Sequence, residues 1–88
     1  MQKRLATVMI TGMATTTDTD AAISRAVWTL LERSGETVVQ LSVAVGMSFA
    51  ACYRKLNGTS TWKASDVAVI AKHYGVTVGD LYSGNPIG

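Results

Sequence analysis

The chain has a single cysteine, a single proline and few charged residues. With Cys52 as the only cysteine, no disulfide can form within the chain, and a reducing compartment is the simplest interpretation. No apolar run approaches the roughly 20 residues that a helix needs to cross a membrane. Charged residues make up 16% of the 88 residues and hydrophobic residues 48%. This balance is typical of one compact globular domain.

Motifs of catalysis and metal binding are also lacking. The sequence has no phosphate-binding loop, no Ser-His-Asp set and no pair of carboxylates at catalytic spacing. The one histidine, His73, is expected to stand alone on the outer side of its helix, with no acidic residue at ligand spacing, so no metal site is expected. Cys52 is expected to point inward as a small hydrophobe. We therefore expect a protein that is not an enzyme and needs no cofactor.

Acidic residues are missing from one long stretch of the chain. The net charge is only +2, which by itself does not indicate nucleic-acid binding. No Asp or Glu occurs from Thr37 to Ser65, whereas Arg54, Lys55 and Lys63 fall in this window. This distribution predicts one basic face on a nearly neutral molecule. Chance in a short chain with few charges is the alternative.

Residues 1–19 differ in composition from the rest and are predicted to form an N-terminal arm or a short strand, because 5–10 are mainly apolar and β-branched. Lys3 and Arg4 before this stretch loosely resemble a signal peptide. The apolar stretch is short and broken by threonines, so we expect a cytoplasmic protein. Met13 also suits a translation start, which leaves the role of the preceding residues open.

Helical signals begin near residue 20. Apolar residues recur every three or four positions over about 21–34 and predict the first helix, with N-caps at 18–20 and a stop at Gly35. The tryptophans Trp28 and Trp62 are expected to lie in the core or at its edge rather than to stack on bases.

Two short helices are predicted next. A capping box of Thr37 with Gln40 opens the second helix, and Gly46 ends it after two turns. Ser48 then caps a third helix over about 49–56.

A polar loop at 59–61 precedes the last two helices. The fourth helix ends at Gly75, and a second capping box, Thr77 with Asp80, opens the fifth. A domain over 20–83 and a tail at 84–88 follow from these signals. An all-α bundle of five helices is the only architecture that these periods indicate.

Two short helices joined by a tight glycine-containing turn are typical of the DNA-binding helix-turn-helix. Ser42 is small enough to let the two helices cross closely, and Gly46 permits a positive φ at the turn. Cys52 and Leu56 give the third helix an inward edge. The residues left on or near its outward edge are Phe49, Ala50, Ala51, Tyr53 and Arg54.

Several landmarks together resemble the lambda-repressor-like, Cro/C1-type (XRE) helix-turn-helix family. The resemblance covers about 21–83, and the run 53–58 followed by Trp62 is similar to small regulators of actinobacteria and their phages. The landmarks are 37–58, Ile70-Ala71, Gly75-Val76-Thr77 and Asp80-Leu81-Tyr82.

The resemblance implies a five-helix domain whose third helix lies in the major groove of double-stranded DNA. It places four residues at base edges: Phe49, Ala50, Ala51 and Arg54. Arg54 suits a guanine, because its guanidinium can donate two hydrogen bonds to O6 and N7. Phe49 either reads thymine methyls or groove shape, or packs on the core or a partner chain. The residues implied at the DNA backbone are Thr37, Ser48, Tyr53, Lys55, Asn57, Thr59, Ser60, Thr61 and Lys63.

The sequence departs from the pattern of the family at four positions, one of which is Ser42 in place of the usual alanine, a change that should be tolerated. Val38 and Phe49 are apolar where many relatives carry a polar residue, often Gln, which leaves few direct polar readers. Lys55 stands where an apolar residue is common, and Leu56 takes the inward role.

The function implied is a sequence-specific transcription regulator of a bacterial host cell, such as a phage Cro-like protein or repressor, with no small-molecule substrate. Both a homodimer and a monomer remain open; the surfaces for pairing are 5–10 or the exposed side of the fifth helix. The alternative is a protein-interaction module on the same fold, such as an antitoxin or anti-repressor, which the weak net charge and apolar third helix favour only slightly.

Overall fold

A computed structural model describes residues 18–86. Within this range the chain forms five α-helices and no strand, which confirms the predicted all-α class. The helices are α1 (Asp18–Ser34), α2 (Val38–Val45), α3 (Phe49–Leu56), α4 (Ala64–Tyr74) and α5 (Val78–Ser83). The predicted arm or strand at 5–10 and the candidate start at Met13 lie outside the described residues.

The local sequence determines where α2 and α5 begin. The hydroxyl of Thr37 accepts from the Gln40 N–H at 3.1 Å, and the Gln40 side chain accepts from the Thr37 N–H at 2.9 Å. Thr77 and Asp80 form the same reciprocal pair at the start of α5, at 3.0 and 3.1 Å. Both predicted capping boxes are confirmed. Each satisfies two backbone N–H groups, one on the cap residue and one in the first turn of the helix.

A single hydrophobic core joins all five helices. Its fully buried side chains include Ile23, Val27, Leu41, Cys52, Val67, Ile70 and Leu81. The predicted inward position of Cys52 is confirmed, and burial raises the pKa of its thiol. The core therefore holds this cysteine as a neutral apolar side chain.

Polar side chains along one edge of α1 connect it to the loop that follows α3. Asp20 is the third residue of α1 and is buried, so the prediction that residues 18–20 act as N-caps is wrong for it. Its carboxylate accepts from the Trp62 N–H at 2.8 Å and from the Thr61 hydroxyl at 3.1 Å. Asp20 therefore anchors the α3–α4 loop against the first turn of α1.

The same edge of α1 also holds the end of α3. Ser24 Oγ accepts from Trp62 Nε1 at 2.9 Å and donates to the Lys55 carbonyl at 2.8 Å. One turn further on, Trp28 Nε1 donates to the Leu56 carbonyl at 3.1 Å. Trp62 is buried in the core, as predicted, whereas Trp28 is 38% exposed and contacts α3 through this hydrogen bond. Two of the last carbonyls of α3 are thus bonded to α1, and that of Lys55 also accepts from the Gly58 N–H at 3.2 Å.

A second polar cluster links the α1–α2 connection to the end of α4. Glu36 accepts from the Tyr74 hydroxyl at 2.6 Å, and His73 Nε2 lies 2.8 Å from its other carboxylate oxygen. The expectation that His73 stands alone is wrong, because the fold brings Glu36 to it from 37 residues away. Burial alone would raise the pKa of Glu36, but hydrogen bonds from Tyr74 and His73 and the charge of His73 outweigh it and lower this pKa.

The chain stays packed beyond Ser83. Gly84 ends α5 with a φ of 78° and lies against α1, where an added Cβ would be 3.3 Å from the Ala22 carbonyl oxygen and 3.0 Å from the Arg25 guanidinium. Pro86 is buried. The predicted tail at 84–88 therefore starts in contact with the first helix.

Replacing Ser24 by alanine should destabilise the fold by about 1–3 kcal/mol, because the Trp62 indole N–H and the Lys55 carbonyl would lose a buried partner. Urea unfolding monitored by circular dichroism measures this loss. Ser65→Ala, at an exposed position of α4, is the matched control and should change stability by less than about 0.5 kcal/mol. Equal stabilities of the two variants would contradict the buried role of Ser24.

Tyr74→Phe removes the hydroxyl that donates to Glu36 and should lower stability at pH 7 by about 0.5–1.5 kcal/mol. The folded-state pKa of Glu36 is lowered from its usual value of 4.5. The stability that ionised Glu36 contributes is therefore fully present above pH 4.5 and is lost as pH falls through the lower folded-state pKa.

The stability difference between wild type and Tyr74→Phe should accordingly shrink below pH 4.5, as measured by urea unfolding between pH 7 and pH 3. Tyr82→Phe, at an exposed tyrosine of α5, controls for loss of a phenolic hydroxyl. A difference for Tyr74→Phe that stays constant over this pH range would show that Glu36 is not its partner.

Gly84→Ala should destabilise the fold by at least about 1–2 kcal/mol, because a positive φ disfavours alanine and the new methyl meets the Ala22 carbonyl. Gly79→Ala is the matched control, since Gly79 lies inside α5 without a positive φ and its added Cβ meets only Thr77 at 3.7 Å. There alanine should stabilise by about 0.5–1 kcal/mol. Thermal unfolding of both variants gives the sign of each change in stability. A Gly84→Ala protein as stable as wild type would contradict the packing of Gly84 on α1.

Candidate nucleic-acid interface

The turn between α2 and α3 has the tight geometry expected from the sequence. Gly46 has a φ of 75°, and its N–H points to the Ser42 and Val43 carbonyls. The Met47 N–H also donates to the Ser42 carbonyl, at 2.9 Å. Ser42 is buried, and its hydroxyl bonds back to the Val39 carbonyl at 2.8 Å. The small side chain at 42 and the positive φ at 46 together let α3 start at once after α2.

α3 exposes one continuous face. Ser48 caps it by accepting from the Ala51 N–H at 3.1 Å, as predicted. Cys52 and Leu56 point into the core. Residues at spacings of one, four, five and eight from the first helical position share the opposite side. The exposed residues on this side are Phe49 itself and, at these spacings, Ala50, Tyr53, Arg54 and Asn57.

An aromatic pair occupies the first turns of this face. The rings of Phe49 and Tyr53 stack with centroids 5.5 Å apart and planes inclined by 15°. Their exposed fractions are 48% and 45%. Of the two positions expected for Phe49, outward or packed on the core, the structure shows the outward one.

Arg54 follows on the same face with its side chain exposed. Within residues 18–86, no hydrogen bond or ion pair joins its guanidinium to another residue, while its backbone carbonyl accepts from the N–H and hydroxyl of Thr59 at 2.9 and 3.1 Å. The loop at Thr59 thus closes the end of α3. The five N–H donors of Arg54 point to no partner in the described part of the fold.

Two of the residues predicted at the DNA backbone, Lys55 and Thr61, are bonded to carboxylates of other helices. Lys55 Nζ lies 2.5 Å from the Asp66 carboxylate, and the two side chains are only 12% and 16% exposed. The Thr61 hydroxyl donates to Asp20. Lys55 would have to leave Asp66 to reach a phosphate, so its charge is largely compensated inside the protein.

The other predicted contacts remain at the surface in different degrees. Ala51 and Ser60 are half-buried, whereas Thr37, Ser48, Asn57, Thr59 and Lys63 are exposed. The hydroxyls of Thr37 and Ser48 each accept from a backbone N–H. A hydroxyl that accepts in this way can still donate to an outside acceptor.

The two carboxylates that flank the acid-free window are held by donors. Glu36, just before the window, is bonded to Tyr74 and His73. Asp66, just after it, accepts from the Lys55 ammonium and from the Lys63 N–H at 2.9 Å. The two acidic residues nearest to Arg54 in the sequence are therefore both bonded to other residues.

α2 adds an apolar surface that the sequence interpretation missed. Val39 and Val43 are 56% and 75% exposed and lie four residues apart on one side of this helix. The signal was available, because Leu41 and Ser42 take the inward side and leave the two valines facing away.

The anchoring residues of α1 were missed as well. Asp20, Ser24 and Trp28 are spaced four apart, and the first two interrupt the apolar stripe that includes Ile23 and Val27. Polar residues at such inward positions indicate buried hydrogen bonds. The sequence carried this signal but could not name the partners.

The described residues contain no group of three or more side chains suited to hold a metal ion, and they enclose no pocket. No helix among them is long and apolar enough to cross a membrane. What this surface offers is an exposed helix with a guanidinium, an aromatic pair and capped helix starts.

A comparison with protein families shows which family the chain matches. The sequence model of the BetR domain matches residues 18–86, which spans all five helices. No curated protein and no solved structure matches the chain. The match covers well over half of the sequence, so the chain belongs to the BetR domain family, a small helical family related to helix-turn-helix proteins.

Proposed function

We propose that the protein is a sequence-specific, double-stranded DNA-binding transcription regulator that inserts α3 in the major groove. The observation that carries the proposal is the exposed guanidinium of Arg54, which no residue of the described fold bonds, on the outward face of a short helix after a tight turn. The major groove is about 12 Å wide and admits such a helix. The relation of the family to helix-turn-helix proteins supports the same reading of α3.

Arg54 is the polar base reader in this proposal. Its planar guanidinium can donate to O6 and N7 of one guanine, a pairing that discriminates against the other bases. Ala50 beside it is exposed and small, so the helix can approach the groove floor closely. Phe49 and Ala51 offer only apolar contact.

Phosphate contacts would come from the helix starts and from the flanks of α3. The first N–H groups of α2 and α3 carry the positive end of the helix dipole, which favours phosphate oxygens. The hydroxyls of Thr37 and Ser48 lie at these two starts. Asn57 and Lys63 are exposed beyond the other end of α3.

The regulatory role that fits such a domain is repression by occupancy, as in phage Cro-like proteins and repressors, without catalysis and without a cofactor. One helix reads only a few base pairs, so a homodimer on a pseudo-palindrome would place two α3 helices roughly 34 Å apart. A monomer would instead protect a single half-site, and footprint length distinguishes the two.

Arg54→Ala should weaken binding to a duplex selected from a random-sequence library by about 1–3 kcal/mol and relax the preference at one guanine. Fluorescence anisotropy at several salt concentrations measures affinity and its salt dependence. Arg33→Ala, at an exposed arginine in the last turn of α1, is the matched control and should bind like wild type. The proposal fails if no duplex binds at low salt, or if both arginine variants behave alike.

A second candidate is a protein-interaction module, such as an antitoxin or anti-repressor. The specific observation in its favour is the exposed pair Val39 and Val43 on α2. This reading predicts no salt-dependent DNA binding, together with a protein complex that Val43→Asp disrupts and Arg54→Ala does not.

A further inference from the structure

The stacked aromatic pair on α3 lies on the outward face of this helix, with each side chain about half exposed. We propose that this pair reads a thymine methyl group in the major groove: Phe49 contacts the methyl, and Tyr53 acts as a positioning residue that holds the Phe49 ring. The inference rests on the proposed DNA-binding function and names the base that the apolar part of the helix selects.

The position of Phe49 suits a base contact. It is the first residue of α3, directly after the Ser48 cap, and the N-terminal residues of a recognition helix are those that contact base edges. Its ring has no hydrogen-bonding atom, so it can recognise only an apolar feature of a base. In the major groove the C5-methyl of thymine is that feature.

The role of Tyr53 follows from the stack. Residues four apart on a helix lie above one another, and here the two ring planes are nearly parallel at a centroid distance of 5.5 Å. This contact limits the rotamers open to Phe49 before any partner arrives. A side chain ordered in advance loses less entropy when it binds.

The charge of this face favours DNA over a second protein as its partner. Arg54 lies next to Tyr53 on the exposed side, and the flanking carboxylates of Glu36 and Asp66 are already hydrogen-bonded. An apolar pair beside a cation without a carboxylate partner is complementary to a groove that has both methyl groups and phosphates.

Replacement of single thymines by deoxyuridine tests the proposal, because it removes only the methyl group. The probe is the duplex selected from a random library, and anisotropy gives Kd for each substituted version. For the wild-type protein, replacement of at least one thymine should weaken the affinity roughly fourfold, the value expected for one buried methyl group. In Phe49→Ala, overall affinity should fall and the difference between thymine and deoxyuridine at that position should disappear.

Two variants of Tyr53 separate positioning from direct contact. Tyr53→Ala should lose most of the thymine–deoxyuridine difference, whereas Tyr53→Phe keeps the ring and should retain that ratio, whatever the hydroxyl adds to overall affinity. Val69→Ala removes an exposed apolar side chain of α4 and should keep both affinity and ratio. Circular dichroism melting confirms that each variant folds.

The outcomes are distinguishable. If the wild-type protein binds every deoxyuridine-substituted duplex with the same Kd as the original duplex, the proposed contact with a thymine methyl is wrong, while DNA binding itself stands. Loss of the ratio in Tyr53→Phe as large as in Tyr53→Ala assigns the effect to the hydroxyl and overturns the positioning role. Absence of binding to any duplex at low salt removes the proposed function itself, and a protein complex that Phe49→Ala abolishes would then assign the face to a protein partner.

Discussion

The candidate interface depends on the hydrogen bonds that α1 makes to the end of α3 and to the loop after it. An isolated helix of eight residues is not stable in water, and α3 presents only Cys52 and Leu56 fully to the core. Ser24 and Trp28 bond its last carbonyls, which fixes the direction of α3 at its C-terminal end. Its other end is set by the turn at Gly46. The outward face is therefore held by the longest helix of the fold rather than by α3 itself.

The same contacts explain why so few polar groups remain for an outside partner. Lys55 and Thr61 belong by sequence to the basic, polar stretch around α3, yet each bonds a carboxylate of another helix. Lys55 holds the start of α4 through Asp66, and Thr61 holds the start of α1 through Asp20. The fold uses these side chains to join its helices and leaves Arg54 as the cation of the α3 face.

Local signals could be read from the sequence because their physical cause lies within a few residues. Two capping boxes, the Ser48 cap and the inward position of Cys52 were predicted and are confirmed, since each depends on neighbours on the same helix or turn. The pairings of Asp20 with Trp62 and of Glu36 with Tyr74 join residues 42 and 38 positions apart. The sequence shows that such polar residues need partners, but only the packed arrangement of helices decides which partners they meet. Lys55 illustrates this limit. The partner of Lys55 is Asp66, the first acidic residue after the acid-free window, and the sequence alone does not show that the two side chains meet.

The low charge of the α3 face has a consequence for how a regulator of this kind would discriminate. Non-specific affinity for DNA comes mainly from cations that displace counterions from phosphates. If α3 enters the groove as proposed, compensation of Lys55 by Asp66 weakens this sequence-independent part and leaves the guanidinium and the aromatic pair to supply the contacts that depend on sequence. A protein with less total affinity can in this way keep a useful ratio between its site and random DNA, since that ratio, rather than Kd alone, determines occupancy of the site. The same arrangement of helices then bonds polar residues within the fold and leaves apolar residues to make contacts that depend on the DNA sequence.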